Sequence, residues 1–395
     1  MDAVVREICR QSILTSGQTW PNPSVACVIV TDRGVFSGAT EVPGRRHAEI
    51  VALDQMDQTL GDESYRTAGT MYVTLEPCST HGRTPPCVDR IKKYPGLKVN
   101  IACMDPVLKG SGLGALQAAG IETRVTKFPG AEFLSGFLSR TVGRGPRFHL
   151  KAAALHDLVG KRDARINISG ADGHWIGQML RAKLDAVLVG PGTVALDLPG
   201  LNFRPRAEKP QFKRSYGHDI WMDSLLENMD ECMALSHGPA FQPARVFLLG
   251  RPFANQDAWF AKQTELGAQT GRKSVYFDLT EEHIWSRFDA KPLPALSHPG
   301  FILELRSELA ACGLNEILVE GGPGLFKAIE SGLTTEDRIL LIKRKAGPEG
   351  NASTFPDVEA TLKTLDLALP EFMKRAGKIA EYSGQSDDLV VATYQ

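Results

Sequence analysis

The chain has 395 residues, 43% of them hydrophobic and 23% charged, with 45 Lys and Arg against 46 Asp and Glu for a net charge of -1. That length favours two domains. The composition excludes general disorder, and the charge balance excludes a global pull toward nucleic acid or anionic lipid. No apolar run approaches the roughly 18 residues of a membrane helix. Asp2 and Glu7 interrupt what would have to be the apolar core of a secretion signal. Seven cysteines, an odd number, do not make a disulfide framework. A reducing cytoplasm is therefore expected, where paired cysteines suggest metal binding or catalysis.

In chain order, residues 2–16 fit an amphipathic helix carrying Val4, Val5, Ile8 and Ile13. The apolar run Ser24 to Thr31 reads as a buried strand, Thr31-Asp32-Arg33-Gly34 as a turn, and a second short strand follows. His47 to Met56 is rich in helix formers. Thr70 to Glu76 is a strand, Cys87 to Tyr94 a helix and Lys98 to Met104 a strand. Gly114 to Ala119 reads as a helix stopped by Gly120, and Ile121 to Thr126 closes the series. This alternation implies a mixed sheet covered by helices. Gly143-Arg144-Gly145-Pro146 is the linker candidate. Beyond it, Phe148–Ala154, Asp185–Gly190, Val246–Leu249, Ser274–Phe277, Ile317–Val319, Ile339–Lys343 and Leu389–Thr393 read as strands of a second α/β domain. Residues 205–243 and 279–300 are polar and proline-containing, and read as insertions with short helices of their own. The expected division is 1–143 and 146–395.

Three features of the first domain converge on one chemistry. His47-Ala48-Glu49 opens a helix, Pro77-Cys78 follows a strand, and Cys87 starts the next helix nine positions after Cys78. One imidazole and two thiolates can hold a catalytic Zn²⁺ and leave a fourth position for water. The metal makes hydroxide available at neutral pH. Glu49, two residues past His47, is the candidate proton shuttle between water and a departing amine. The helix start favours the thiolate of Cys87. Taken singly, a His–Glu pair at a helix start is more often a solvated surface pair, and two cysteines are most often buried and inert; the combination is far more specific. His81, in the loop between the cysteines, is the alternative imidazole. The common zinc-deaminase spacing places two residues between the cysteines, whereas this chain has eight, Ser79 to Pro86.

That long loop carries a resemblance. PNPSVACVIV at 21–30, HAE at 47–49 and EPCSTHGRTPPC at 76–87 together resemble the bifunctional riboflavin-biosynthesis deaminase–reductases. Asp105-Pro106, Gly110-Ser111-Gly112, Ala119-Gly120-Ile121 and Gly136-Phe137 match the same family's downstream pattern. The resemblance implies a cytidine-deaminase-like three-layer α/β domain with a mixed sheet, followed by a dihydrofolate-reductase-like α/β domain. It implies that Asn22 contacts the pyrimidine, a residue that otherwise reads as a turn between two prolines. Arg83 and Lys109 are candidates for a substrate phosphate. The chain departs from the family at Ala26, at Val51 and in the His-free loop 38–46.

In the second domain, Val319-Glu320-Gly321-Gly322-Pro323-Gly324-Leu325-Phe326 joins a strand to a helix that ends near Ser331, with Gly332 as its stop. Glycines there let backbone N–H groups approach a phosphate, and the helix start favours the anion. A plain tight turn has the same composition. The family resemblance extends through Leu150–Ala154, Trp175-Ile176, Leu180–Ala182, Asp185–Gly190, Thr193-Val194 and Asp197–Arg204. It implies that Ala153, Trp175, Thr193, Asp197, Gly322, Pro323 and Gly324 contact NADPH. It also implies that Lys151, Arg181, Leu201, Arg204 and Glu320 face a ribosyl-phosphate substrate, where two arginines suit bidentate phosphate binding. Each arginine alone reads as a surface ion pair. The turn at 155–160 is two residues longer than the family's, segment 169–175 is one longer, and the stretch from Trp175 to Arg181 is shorter.

The expected function is deamination of a diaminopyrimidinone ribosylamine 5′-phosphate, followed by NADPH reduction of the ribosyl group to ribityl. The partners are a small phosphorylated pyrimidine and a second copy in a homo-oligomer, with no nucleic acid and no membrane. One rival is a zinc deaminase whose second domain only binds ligand or builds an oligomer. The other, a nucleic-acid base deaminase, would need a basic strand-tracking groove, against which the net charge of -1 argues.

Overall fold

The computed structural model describes residues 3–154, 158–159, 169–204, 210, 212–235, 241–272, 274–345, 367–368, 373 and 376–394. The chain forms two compact units. The first is Met1–Pro146 together with Ile220–Leu235 and Cys312–Asn315. The second is Arg147–Asp219, Ser236–Ala311 and Glu316–Gln395. At the break, Gly143 and Gly145 sit at φ 84° and 81°, a backbone that a β-carbon would disfavour. Among the described residues, no helix is long and apolar enough to cross a membrane.

The first unit begins α1 (Ala3–Thr15), β1 (Ala26–Thr31), β2 (Gly34–Ala39), α2 (Ala48–Leu60), β3 (Gly69–Val73) and α3 (Cys87–Ile91). It continues with β4 (Leu97–Ile101), α4 (Ser111–Ala118), β5 (Thr123–Val125) and α5 (Ser135–Thr141). The sheet order is β2-β1-β3-β4-β5. β1 pairs antiparallel with β2 and β3, while β3–β4 and β4–β5 are parallel. The layering follows from β1 itself, because alternate residues of a strand point to opposite faces. Cys27 and Ile29 pack with Ala48, Ala52, Leu53 and Met56 of α2. Ala26 and Val28 pack with Ile8 of α1 on the other face. An apolar run without polar alternation is thus what a strand between two helical layers requires.

The second unit contains β6 (Arg147–Ala154), β7 (Leu158–Val159), α6 (Ala171–Lys183), β8 (Ala186–Val189), α7 (Pro191–Asp197) and β9 (Lys213–Gly217). The next two helices, α8 (Ile220–Glu227) and α9 (Met229–Leu235), belong to the first unit. There Arg10 of α1 donates from Nε to Glu231 of α9 at 2.8 Å. The second unit resumes with β10 (Ala244–Leu249), α10 (Gln256–Thr270), β11 (Ser274–Asp278), β12 (Lys291–Pro292), α11 (Phe301–Ala311) and β13 (Glu316–Val319). It ends with α12 (Pro323–Ile329), β14 (Arg338–Arg344), β15 (Leu367–Ala368), β16 (Gly377–Ser383) and β17 (Asp387–Thr393). Its ten-stranded sheet runs β12-β11-β10-β8-β13-β6-β14-β17-β16-β9. From β12 to β14 all pairings are parallel; those from β14 to β9 are antiparallel.

All seven strands expected in this half form. The insertions differ from expectation. Within 205–243 lie α8 and α9, but also β9, which pairs with β16 as an edge of the main sheet. Its five residues are all exposed, so it lacks the apolar signal of a strand. Residues 279–300 carry one turn of 3₁₀ helix at Ser286–Phe288 and the two-residue β12, where short helices were expected. Of the lengthened 155–160 turn, only 158–159 lie within the described residues.

Candidate active sites

The first site is built from two helix starts and the loop that follows β3. His47 is the N-cap residue of α2, with φ −80° and ψ 161°. Glu49 lies in the first turn of that helix and is 3% exposed. Cys78 follows β3 through Thr74–Pro77, and the completely buried Cys87 is the first residue of α3 after Pro86. As the first residue of its helix, Cys87 has no intrahelical partner for its N–H, which donates to Cys78 Sγ at 3.2 Å. His47 Nδ1 lies 3.5 Å from Cys78 Sγ and 3.3 Å from Cys87 Sγ. The three donor atoms all fall within 4.8 Å of one another.

These separations fit a metal. Zn–S bonds of about 2.3 Å and Zn–N bonds of about 2.0 Å at tetrahedral angles place the donors roughly 3.5–3.8 Å apart. The charges point the same way. Hydrogen bonding from Cys87 and His47 outweighs burial and pulls the Cys78 thiol down. Cys78 and burial then push the Cys87 thiol up. A divalent ion held by these donors would let both sulfurs be thiolates. Burial also raises the Glu49 carboxyl, so the group beside the donor set is suited to taking and returning a proton. His81 is exposed and stands outside the cluster, which removes it as the rival imidazole. Arg83 and Lys109 are exposed. Asn22 is half-buried in the turn before β1.

Glu76 was read only as the end of a strand, yet it holds the cysteine loop. Its Oε1 accepts from the N–H groups of Gly112 at 2.8 Å and Leu113 at 3.0 Å, at the start of α4, and its Oε2 from Asp105 at 3.3 Å. Gly112 approaches so closely that a β-carbon there would lie 2.0 Å from the Pro77 carbonyl oxygen. The signal available in sequence was a carboxylate immediately before Pro-Cys, facing a glycine-rich helix start.

The second site lies at the carboxyl ends of adjacent parallel strands, where ligands of open α/β sheets bind. β6 carries Lys151 and Ala153, β8 leads into Thr193 and Asp197 of α7, and β13 leads into Glu320 and the 321–324 loop. Arg181 of α6 donates to Glu320 through Nε at 3.1 Å and Nη2 at 2.5 Å, and Lys151 Nζ lies 3.9 Å away. Burial alone would raise the Glu320 carboxyl. The cations Arg181 and Lys151, with Arg204 beyond them, overcome it and hold the group at about 2. Lys151, Arg181, Arg204 and Glu320, which the family resemblance implies face one substrate, form one charge cluster. The Nε and Nη2 of Arg181, expected to meet substrate, are engaged by Glu320. Leu201 is 2% exposed at φ 54°, so its buried side chain serves the core.

The cofactor-binding candidates also fit a bound group. Trp175 is 2% exposed, and its indole Nε1 has no hydrogen-bond partner among the described residues. Among the described residues nothing lies within 4 Å of a β-carbon placed at Gly322 or Gly324, so the loop edge is open to a ligand. Gly190 and Gly321 instead both abut Leu325, which ties the β8 and β13 loops to one another.

Known proteins share both halves. Residues 3–103 match the family model for the cytidine and deoxycytidylate deaminase zinc-binding region. The riboflavin biosynthesis protein RibD of Bacillus amyloliquefaciens is 35% identical over 321 residues, 78% of this chain and 74% of that one. RibD of Haemophilus influenzae is 34% identical over 345 residues, 83% of this chain and 81% of that one. The solved structure of Acinetobacter baumannii RibD, form 2, matches 99% of this chain and 97% of that one, with a TM-score of 0.67 at 24% identity. A diaminohydroxyphosphoribosylaminopyrimidine deaminase/5-amino-6-(5-phosphoribosylamino)uracil reductase from Thermotoga maritima matches 99% of each, with a TM-score of 0.66 at 23% identity. At these identities the two structures speak for the fold, which is α/β in both halves.

The charge cluster yields a stability test. Arg181→Ala leaves a buried carboxylate without its bidentate partner and is expected to cost about 3–5 kcal/mol in urea unfolding. Arg181→Ala combined with Glu320→Gln should recover part of that loss. Because folding depresses the Glu320 pKa to about 2, its contribution is complete above the unfolded value of about 4.3 and fades as pH falls toward 2. The gap between wild type and Arg181→Ala should narrow over that acid range.

Proposed function

The chain belongs to the RibD family of riboflavin-biosynthesis proteins, and on that premise we propose that its first unit hydrolytically removes the ring amine of a diaminopyrimidinone ribosylamine 5′-phosphate while its second reduces the product's ribosyl group to ribityl with NADPH. It is an enzyme of riboflavin biosynthesis with a deaminase and a reductase activity. The observation that carries the reading of the first site is the set of one imidazole and two thiols within 4.8 Å beside a buried carboxyl.

In this reading His47 Nδ1, Cys78 Sγ and Cys87 Sγ hold one zinc ion. A zinc ion held there would supply a Lewis acid that lowers the pKa of water and makes hydroxide available at neutral pH. Glu49 carries the proton. One of its oxygens takes a proton from the attacking water and delivers it to the departing amine, a transfer served by a carboxyl whose affinity for protons burial has raised. Asn22 orients the pyrimidine. Glu76 keeps the cysteine loop in place through the three N–H groups it accepts.

In the second unit NADPH supplies the hydride. Ala153, Trp175, Thr193, Asp197 and the Gly322-Pro323-Gly324 loop hold the cofactor, the loop through backbone N–H groups. Glu320, kept ionised by Arg181 and Lys151, accepts a hydrogen bond from a sugar hydroxyl. Arg204 meets the phosphate. The work of these residues would be positioning, since hydride transfer depends on how cofactor and sugar are held relative to each other. None of the seven cysteines is joined in a disulfide, which fits a reducing, cytoplasmic setting.

Metal analysis should find about one zinc per chain, with large loss in Cys78→Ser and in Cys87→Ser; full retention in both would remove the ligand assignment. Glu49→Gln should keep zinc while ammonia release falls by about 10²- to 10⁴-fold, because the amide cannot carry the proton. Near-normal ammonia release would assign the proton transfer elsewhere. Arg204→Ala should weaken binding of the deaminated substrate by about 10- to 150-fold, read as KM in NADPH oxidation, with ammonia release unchanged.

A further inference from the structure

The turn that carries Asn22 is held from two sides. Within the turn, the Asn22 N–H donates to the Thr19 carbonyl at 2.9 Å, and Thr19 Oγ1 donates to the Asn22 carbonyl at 3.2 Å. From outside, Arg140 of α5 donates through Nη2 to the Pro21 carbonyl at 2.8 Å. Arg140 Nε donates to Asn315 Oδ1 at 2.7 Å, and Asn315 Nδ2 reaches the Asn22 carbonyl at 3.4 Å. Asn315 is 5% exposed. It ends the segment Cys312–Asn315, which comes from the second half of the sequence, between α11 and β13, but belongs to the first compact unit.

Contact at this place is close as well as polar. Gly313 sits at φ 78°, and a β-carbon on it would lie 2.7 Å from Pro21 Cβ. Only glycine allows both the left-handed turn and that approach. The carbonyls of Pro21 and Asn22 are therefore both taken by groups outside the turn. The Asn22 side chain, half-buried, is aimed by a main chain that it does not itself hold in place.

We propose that Arg140 and Asn315 are positioning residues for deamination. They fix the Pro21–Asn22 main chain, so the deaminase site depends on a segment supplied from beyond the reductase's first strands. The inference rests on the reading of Asn22 as the residue that orients the pyrimidine. Asn315 acts chiefly through Arg140, since its own bond to Asn22 is at the long limit for a hydrogen bond. The chemistry at the zinc site is untouched by these two residues, so their loss falls on substrate binding. An effect on KM at constant kcat is the signature.

The test is steady-state ammonia release by full-length protein. Asn315→Ala and Arg140→Ala should each raise KM for the ring-amino substrate by about 3- to 10-fold, the scale of one or two hydrogen bonds, with kcat and zinc content held. Asn315→Asp keeps the oxygen that receives Arg140 Nε and should return KM close to wild type. NADPH oxidation with the deaminated substrate should be the same in all three. Asn22→Ala, run alongside, should raise KM at least as far. If Asn22→Ala raises KM and neither Arg140→Ala nor Asn315→Ala does, the positioning role is overturned and the deaminase reading stands. A fall in kcat with loss of zinc, not rescued by Asn315→Asp, would make these residues structural and overturn it too. Wild-type protein that releases no ammonia would overturn the deaminase reading and this inference together.

Discussion

Two sulfur atoms and one imidazole nitrogen within 4.8 Å of each other set the terms for the first half of the molecule. Such a group is poorly stable as two thiolates and wasteful as two thiols, and a divalent cation resolves the conflict. The surrounding fold reads as the means of bringing those three atoms together. α2 begins at His47, so the helix that supplies the imidazole also places Glu49 one half-turn on, inside the buried layer. α3 begins at Cys87, whose N–H already points at Cys78 Sγ. Between them the Pro77-Cys78 loop is held by Glu76, a buried carboxylate accepting three backbone N–H groups. The metal candidates thus depend on an anion that is not itself a ligand.

The second half is organised by the opposite problem, a buried negative charge on the shoulder of β13. Glu320 N–H bonds the Leu188 carbonyl of the neighbouring β8, while its side chain is met by Arg181 and Lys151. Three adjacent strands therefore contribute to one cluster, β6 through Lys151, β8 through its main chain and β13 through Glu320. A buried pair of this kind is costly to assemble and costly to break, which makes it a poor device for stability alone. It is a good device for keeping one carboxylate ionised beside a loop of glycines that stays open to a ligand.

Much of this was legible in sequence because it depends on local pattern. The run at 24–31 announces a strand buried on both faces. HAE, Pro-Cys and a second cysteine at a helix start announce the donor set. The eight-residue loop between the cysteines points to a particular family. What stayed hidden was long-range. β9 is fully exposed and polar, so only its pairing with β16 makes it a strand. The helices α8 and α9 and the segment Cys312–Asn315 carry no local sign that they join the first compact unit. The roles of Glu76, Arg140 and Asn315 come from contacts made across the fold, which spacing does not reveal. Arg181 stood out as a candidate substrate contact through the family resemblance, but nothing local marked it as the partner of Glu320, 139 positions away.

The central claim is that one chain performs both reactions in sequence, with deamination preceding reduction. The most direct measurement follows ammonia and NADPH together after the ring-amino substrate is added to purified wild-type protein. Ammonia should appear first and NADPH consumption follow after a lag, reaching one NADPH oxidised per ammonia released. NADPH consumed without ammonia, or ammonia released in full with no NADPH consumed, would contradict it.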